Sequence, residues 1–180
     1  KAVLVLEDGK AFWGTAFGAI GESTGEVVFN TGLTGYQEVL SDPSYKGQIV
    51  TMTYPHIGNT GINDEDGESP RLYLSGFVVR DVTEVPSNWR STRTLSQHLE
   101  AHGVMAMSGV DTRALTRHIR RQGAMKGIMS VRTDDLERLR ELAAAAPGTN
   151  GKMSSSLISA GNTRNGSNSA AASLGYTDLG

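Results

Sequence analysis

Apolar positions follow two different periods along this chain of 180 residues. In the first half they form short runs, rich in β-branched or aromatic residues and bounded by Gly, Pro or Asn, which predicts strands. The predicted strands are AVLVLE, KAFWGTAFGAI, EVVFN, QIVTMTY and LSGFVVRDV. Asp8-Gly9 separates the first two and predicts a β-hairpin, because Gly tolerates the positive φ that a tight turn requires.

Helical signals begin with TGYQEVLSDP and dominate the second half. Thr34 and Gln37 match a capping box, and Asp42-Pro43 ends this first helix because the residue before proline avoids the helical region. Thr94 and Gln97 form a second capping box at the start of TLSQHLEAHG. We therefore expect helices after both threonines.

Two more helices are predicted further along the chain. The strand VMAM precedes the third helix, and the strand GIMSVR lies between the third and fourth helices. Asp111 caps the third helix, which carries Leu115 and Ile119 on one face and ends at Gly123. Asp134 caps the fourth, whose apolar stripe consists of Leu136, Leu139 and Leu142. Strands followed by alternating strands and helices predict a mixed α/β domain over residues 1–150.

Composition narrows the class of protein. The net charge is -2 and cysteine is absent, so the composition indicates no nucleic-acid partner, disulfide or thiolate metal site. No apolar run approaches the length of a membrane span, and we expect a cytoplasmic protein without a membrane partner. Residues 151–180 are rich in Ser, Asn and Ala and are predicted to be a flexible low-complexity tail or a divergent linker.

Ser23 lies in Gly21–Gly25, which matches the G-x-S-x-G nucleophile elbow of α/β-hydrolases. The elbow needs a helix after the serine, whereas the strand-like EVVFN follows here. We interpret the match as a glycine-rich loop between strands and expect no catalytic serine at this position.

His98 and His102 are four residues apart on one helix, a spacing that can share a zinc ion. No third ligand follows at a suggestive spacing, so half-buried helical histidines are the favoured interpretation and no metal site is expected. The acidic run 63–68 does not fit a calcium loop, because tyrosine would occupy its twelfth position, and is interpreted as a solvated loop.

The third helix and the residues after it are rich in basic side chains. Basic helices can contact phosphates, but the aromatic residues that stack on bases are absent nearby. A solvated face, or a face against an acidic protein partner, is therefore favoured over nucleic-acid binding. The basic residues are Arg113, Arg117, Arg120, Arg121 and Lys126.

Ser44 follows Pro43 directly after the first predicted helix, so its hydroxyl should lie at a turn. The strand QIVTMTY separates it from His56, which leaves no nearby base for nucleophilic catalysis. Two interpretations remain open from the residues alone: a hydrogen bond to a polar ligand, or a local turn held by the side chain.

Longer segments resemble a known family. LVLEDG, GEVVFNTGLTGYQEVLSDPSY and TYPHIGNTGIN are closely similar to the small chain of glutamine-hydrolysing carbamoyl-phosphate synthase, and GFVVRD, SNWR, VMAMSGVDTRALTRHIR and RRQGAMKGIMS follow in the same order. The resemblance covers the N-terminal domain of that family and implies its β/β/α "swivelling" fold.

The resemblance also implies a function. In the family, a Cys-His-Glu set in a separate C-terminal domain hydrolyses glutamine, and a large subunit uses the ammonia with bicarbonate and ATP to make carbamoyl phosphate. The N-terminal domain contacts the large subunit and helps to shape the glutamine site. By matching motif, Ser44 corresponds to a position that contacts glutamine, and Gly32 to a small residue at the start of the ammonia passage.

The chain departs from the family pattern in two ways. It lacks cysteine, and the residues after 151 do not match the expected continuation. We expect no catalytic residue and no cofactor in this chain, with ATP and Mg²⁺ on the large subunit, and no activity of the chain alone. The alternative is a free-standing interaction module without enzymatic activity.

Overall fold

Nine strands and four helices alternate along residues 1–33, 35–62, 71–83 and 93–148, which are the parts of the chain that the computed structural model describes. The strands are β1 (Ala2–Leu6), β2 (Ala11–Gly18), β3 (Glu22–Asn30), β4 (Gln48–Met52), β5 (His56–Ile57), β6 (Gly76–Val78), β7 (Asp81–Val82), β8 (Met105–Ser108) and β9 (Met125–Ser130). The helices are α1 (Tyr36–Ser41), α2 (Leu95–Ala101), α3 (Thr112–Gln122) and α4 (Leu136–Ala145), and a 3₁₀ turn (Pro43–Tyr45) follows α1.

Seven strands close into a barrel in the order β1-β2-β8-β6-β4-β3-β9, and β5 pairs with β7 separately. The strands β3, β4, β6 and β8 run parallel to one another, whereas β1, β2 and β9 make antiparallel pairs. The barrel closes at β1, where Val3 pairs with Trp13 on one side and Ser130 on the other. The predicted mixed α/β class is confirmed.

The barrel interior is filled by alternate residues of the strands, because successive side chains of a strand point to opposite faces. In β1, Leu4 and Leu6 join an apolar cluster to which all seven barrel strands contribute. Helix α3 adds Leu115 and Ile119 to the same cluster. The interior is therefore a packed core and not a channel.

Three helices cover the outside of the barrel. Val3 and Val5 of β1 face outward and pack with Leu139 and Ala143 of α4. Helices α1 and α2 supply a second outer cluster over β4, β6 and β8, which includes Leu40, Leu95, Leu99, Val50, Phe77 and Ala106. Strands that are buried on both faces need apolar side chains at successive positions, and these strands are the continuous apolar runs of the sequence.

Several predicted local signals are confirmed. Gly9 adopts a φ of 88° in the β1–β2 hairpin, and its N–H donates to the Leu6 carbonyl at 2.8 Å. Thr94 and Gln97 form both hydrogen bonds of the capping box of α2. Asp111 accepts a hydrogen bond from the Ala114 N–H at the start of α3, and Gly123 follows the last residue of that helix.

Two predicted caps were wrong. Helix α1 has Gly35 at its cap position and no side-chain cap, and Thr34 lies outside the described residues. Helix α4 is capped by Asp135, whose carboxylate accepts from the Arg138 N–H, and not by Asp134. Its buried stripe follows this shift and consists of Leu139 and Ala143, while Leu136 and Leu142 are 37% and 38% exposed.

Some predictions fall on residues that the structure does not describe. These are the acidic run 63–68, the SNWR segment at 87–90, and the tail with its boundary near residue 150. Within the described ranges, none of the helices has the length and apolar character needed to cross a bilayer.

Candidate functional site

Asn30, the last residue of β3, connects the two segments in which the predicted site residues lie. Its side-chain Oδ1 accepts a hydrogen bond from the Gly32 N–H at 2.7 Å, and its Nδ2 donates to the Tyr45 hydroxyl at 2.9 Å. Tyr45 is the neighbour of Ser44 in the 3₁₀ turn. Ser44 and Gly32 thus belong to one hydrogen-bonded arrangement, which their separation in sequence did not reveal.

Ser44 occupies an exposed position in a turn that its neighbours shape. Pro43 suits the first position of the turn because its φ is already fixed near the helical value. The Asp42 carboxylate accepts from the Ser44 N–H at 2.8 Å. The predicted turn is therefore present, and the Ser44 hydroxyl lies at the protein surface beside a carboxylate.

The pKa of Asp42 is lowered from its usual value by its hydrogen bonds to Ser44, first from the backbone N–H and then from the side chain. The carboxylate therefore remains ionised at neutral pH. An ionised acceptor strengthens the hydrogen bonds that hold the turn.

Gly32 lies in the exposed loop that leaves β3. Its contact with Asn30 uses the backbone N–H, so any residue other than proline could make the same hydrogen bond. What distinguishes glycine here is the absence of a side chain in the loop.

The arrangement lies where two parallel strands end. Asn30 pairs with Met52, the last residue of β4, and the Thr53 N–H and hydroxyl both donate to the Asn30 carbonyl, at 3.0 and 3.2 Å. Loops at the carboxyl ends of parallel strands are a common place for ligand sites in α/β proteins. Sequence reasoning missed Asn30, although a polar residue ending an apolar strand before Thr-Gly was a usable signal.

A cavity of about 120 Å³ lies next to this loop, lined by residues that include Leu33, Tyr36, Tyr54, His56 and Thr60. The buried Tyr36 hydroxyl donates to the Gly61 carbonyl at 2.7 Å and accepts from the Thr60 hydroxyl at 2.8 Å. Burial raises the pKa of Tyr36, so it stays neutral. These bonds connect the segment after β5 to α1.

His56 is exposed, pairs with Asp81 through the short β5–β7 sheet and lines this cavity. Ser44 is not among the cavity's lining residues. Among the described residues, no hydrogen bond joins Ser44 to His56 as nucleophile and base, which agrees with the interpretation from sequence.

Ser23 is in the interior of β3 and not in a loop, which corrects the predicted glycine-rich loop. It pairs with Met129, and its hydroxyl donates to the Ser75 carbonyl at 2.5 Å. A nucleophile elbow needs a turn between a strand and a helix, so this geometry excludes one here.

The rings of His98 and His102 are tilted by 48° with their centroids 4.4 Å apart, and the His102 Nδ1 lies 2.9 Å from the His98 carbonyl oxygen. His98 is half-buried as predicted, but His102 is exposed. Among the described residues, no group of three His, Asp or Glu side chains lies close enough to hold a metal ion.

The four arginines of α3 were predicted to form a solvated face, and all four are exposed: Arg113, Arg117, Arg120 and Arg121. Arg120 lies 5.1 Å from the centre of the Phe29 ring. Lys126 belongs to β9 and not to the helix, and its Nζ donates to the Ala144 carbonyl at 3.0 Å. His118 of α3 reaches a carboxylate, with its Nε2 2.6 Å from Asp8 Oδ2.

Comparison with known proteins identifies the family to which this barrel belongs. The family model described as carbamoyl-phosphate synthase small chain, CPSase domain, matches residues 4–129. The chain belongs to the carbamoyl-phosphate synthase small-chain family. The sequence resemblance is therefore confirmed, and the matched region includes Asn30, Gly32 and Ser44.

Relatives named carbamoyl phosphate synthase small chain are similar over most of this chain. That of Streptomyces coelicolor is 66% identical over 130 residues, which cover 72% of this chain and 34% of the relative. That of Syntrophotalea carbinolica is 59% identical, covering 84% and 40%. That of Xanthomonas axonopodis pv. citri is 52% identical, covering 91% and 42%. The chain thus spans about two fifths or less of the length of these small chains.

Solved structures give a weaker likeness. An aminopeptidase from an Aneurinibacillus strain has a TM-score of 0.40 and 13% identity over 72% of this chain and 30% of its own. A likeness of that degree supports no conclusion about this member of the small-chain family.

Proposed function

We propose that this domain forms the N-terminal part of the small subunit of a glutamine-hydrolysing carbamoyl-phosphate synthase, where it contacts the large subunit and helps to shape the glutamine site. The carrying observation is that, in a family member, Asn30 joins the turn of Ser44 to the loop of Gly32 by two hydrogen bonds. The free-standing interaction module is the less favoured alternative.

Ser44 is the glutamine contact in this proposal. A serine hydroxyl can donate one hydrogen bond and accept others, which suits the mixed donor and acceptor groups of glutamine. Its exposure leaves it accessible to a ligand held between this domain and a glutaminase domain. The neighbouring Asp42 carboxylate, ionised at neutral pH, orients the turn.

Gly32 lines the start of the passage by which ammonia leaves the glutamine site. An absent side chain leaves room for a small neutral molecule and offers it no side-chain hydrogen bond. The rest of the chemistry belongs to other parts of the enzyme: a Cys-His-Glu set for glutamine hydrolysis, and ATP with Mg²⁺ on the large subunit. The complex would act in the cytoplasm as a heterodimer in arginine or pyrimidine synthesis, and its barrel would represent the swivelling fold.

The substitution Ser44→Ala tests the glutamine contact in the complete small subunit assembled with the large subunit. Loss of a hydrogen bond worth about 1–2 kcal/mol should raise KM for glutamine by about 5- to 30-fold. Synthesis from ammonia should change by less than about twofold, because it bypasses the glutamine site. Ser108→Ala is the matched control, since that hydroxyl makes only a 3.5 Å contact with the Thr15 carbonyl. Equal losses with glutamine and ammonia would remove Ser44 from the glutamine site.

Association with the large subunit is tested by size-exclusion chromatography at micromolar concentrations. Mixing this chain with a large subunit and a separate glutaminase domain should shift all three to one earlier peak. Independent elution of this chain would contradict the interface role and favour the free-standing module.

A further inference from the structure

We infer that Asn30 is a positioning residue that couples the turn carrying Ser44 to the loop carrying Gly32, so that glutamine binding and ammonia transfer depend on one side chain. The inference rests on the proposed function and goes beyond it, because it assigns a role to Asn30 through its hydrogen bonds to Gly32 and Tyr45.

Asn30 is held firmly by its backbone. Its carbonyl accepts two hydrogen bonds from Thr53, one from the backbone N–H and one from the hydroxyl. The residue also pairs with Met52 across the parallel strands β3 and β4. A side chain anchored in this way holds both of its partners in fixed positions relative to the strand end.

The chemistry of the two partners explains why an amide suits this position. Gly32 presents a backbone N–H, which can only donate, so Oδ1 must face it at 2.7 Å. The Nδ2 group is then directed to the Tyr45 hydroxyl at 2.9 Å. One planar group thus fixes the distance between the two segments, and serine or alanine could not span it.

The tyrosine hydroxyl also makes a conservative replacement possible. It accepts from the Asn30 amide in this structure but can donate to a carboxylate. Asn30→Asp therefore retains both links, with Gly32 and Tyr45 as donors. Asn30→Ala removes both, and Tyr45→Phe removes only the link to the Ser44 turn. Comparison of these three variants distinguishes loss of the hydrogen bonds that couple the two segments from a general loss of folding or stability.

The consequence of uncoupling is a loss of ammonia between two steps. Hydrolysis converts glutamine and water into glutamate and ammonia, and the ammonia must enter the passage beside Gly32 before it escapes to solvent. When the turn and the loop move independently, glutamine binds more weakly and a larger fraction of the ammonia is lost. The ratio of glutamine hydrolysed to carbamoyl phosphate formed reports this fraction directly.

The experiment uses the complete small subunit assembled with the large subunit, with glutamate and carbamoyl phosphate measured in the same reaction. We expect Asn30→Ala to raise KM for glutamine about 10-fold and to raise the ratio at least twofold above wild type. Tyr45→Phe should raise KM about threefold with a ratio near wild type, because the Gly32 link persists. Asn30→Asp should keep KM within about threefold of wild type and the ratio near the wild-type value. Synthesis from ammonia should stay within twofold in all three.

Three results would overturn the inference. The first is a wild-type ratio in Asn30→Ala; the second is an equal loss in Asn30→Asp and Asn30→Ala; the third is a parallel fall of glutamine- and ammonia-dependent synthesis, as misfolding produces. Ser44→Ala, measured alongside, distinguishes the two proposals. If it leaves glutamine use unchanged, the proposed glutamine site fails; if it raises KM while Asn30→Ala behaves as wild type, only the coupling fails.

Discussion

Gly127 of β9 faces the barrel interior, and its replacement by alanine should destabilise the domain by overpacking. A Cβ at this position would lie 2.7 Å from Val27 Cγ2, 3.2 Å from Leu4 Cδ1 and 3.3 Å from Leu6 Cδ2. All three neighbours are fully buried members of the interior cluster, so none can move into solvent. The methyl group must therefore displace strands or force side chains from their rotamers.

The magnitude follows from two opposing effects. Extra methyl groups in a well-packed core cost about 1–3 kcal/mol, and the 2.7 Å approach to Val27 Cγ2 indicates a cost in the upper part, about 2–3 kcal/mol. Alanine also restricts the unfolded chain, which stabilises the protein by about 0.4–1 kcal/mol, because the backbone of Gly127 does not require a positive φ. The free energy of unfolding should therefore fall by about 1–2.5 kcal/mol, which lowers Tm by about 2–10 °C for a chain of this size.

Thermal and urea unfolding followed by circular dichroism measure this change. Gly21→Ala is the matched control: no atom lies within 4 Å of its added Cβ, so stability should stay the same or rise by up to about 1 kcal/mol. The double variant Gly127→Ala with Val27→Ala should be more stable than the sum of the single effects by about 1 kcal/mol, because the nearest atom is removed. A Gly127→Ala protein as stable as wild type, or strict additivity, would refute the overpacking argument.

Two further predictions concern local contacts. Burial raises the pKa of Asp8, but hydrogen bonds from the Lys10 N–H and His118 outweigh it and hold the pKa below its usual value of 3.8. Its stabilisation is therefore present above about pH 3.8 and is lost as pH falls through the lowered pKa. Asp8→Asn should cost about 0.5–1 kcal/mol in urea unfolding at pH 7 and progressively less as pH falls below 3.8. A cost that does not change with pH would contradict the assignment. Thr94→Ala removes the cap of α2 and should lower the free energy of unfolding by about 1 kcal/mol in the same assay. The control Gln122→Ala, at the exposed end of α3, should lower it by less than about 0.5 kcal/mol. Equal effects of the two substitutions would count against the capping box.

The fold class was predictable because the strongest signals are local. The Asp8-Gly9 turn and the cap at Thr94 each act within a few residues, and both are as predicted. Closure of the barrel was not predictable, since it depends on pairing β1 with β9 and on the parallel neighbours β6 and β8. Period-two alternation indicates which face of a strand is buried but not which strand lies beside it.

The candidate site was predictable in part. Ser44 and Gly32 came from motif resemblance, and the turn of Ser44 came from Pro43. Asn30 was missed because its side-chain partners are not evident from local sequence. They are Gly32, two residues away in the next loop, and Tyr45, fifteen residues away in the 3₁₀ turn. The cap of the fourth helix was predicted one residue too early for a simpler reason. Asp134 and Asp135 are adjacent and have the same side chain, so local sequence does not distinguish them. The helix that begins after Asp135 packs Leu139 and Ala143 against β1.

The pairing of β1 with both β2 and β9 has a consequence for synthesis of the protein. Val3 leaves the ribosome long before its partner Ser130, which lies in β9, the last of the seven barrel strands to be made. At about 5–20 residues per second, the interval between them is roughly 6–25 s. During that time one edge of β1 has no partner, so the nascent chain depends on the β1–β2 hairpin, or on a chaperone, to keep this apolar strand from pairing with another molecule.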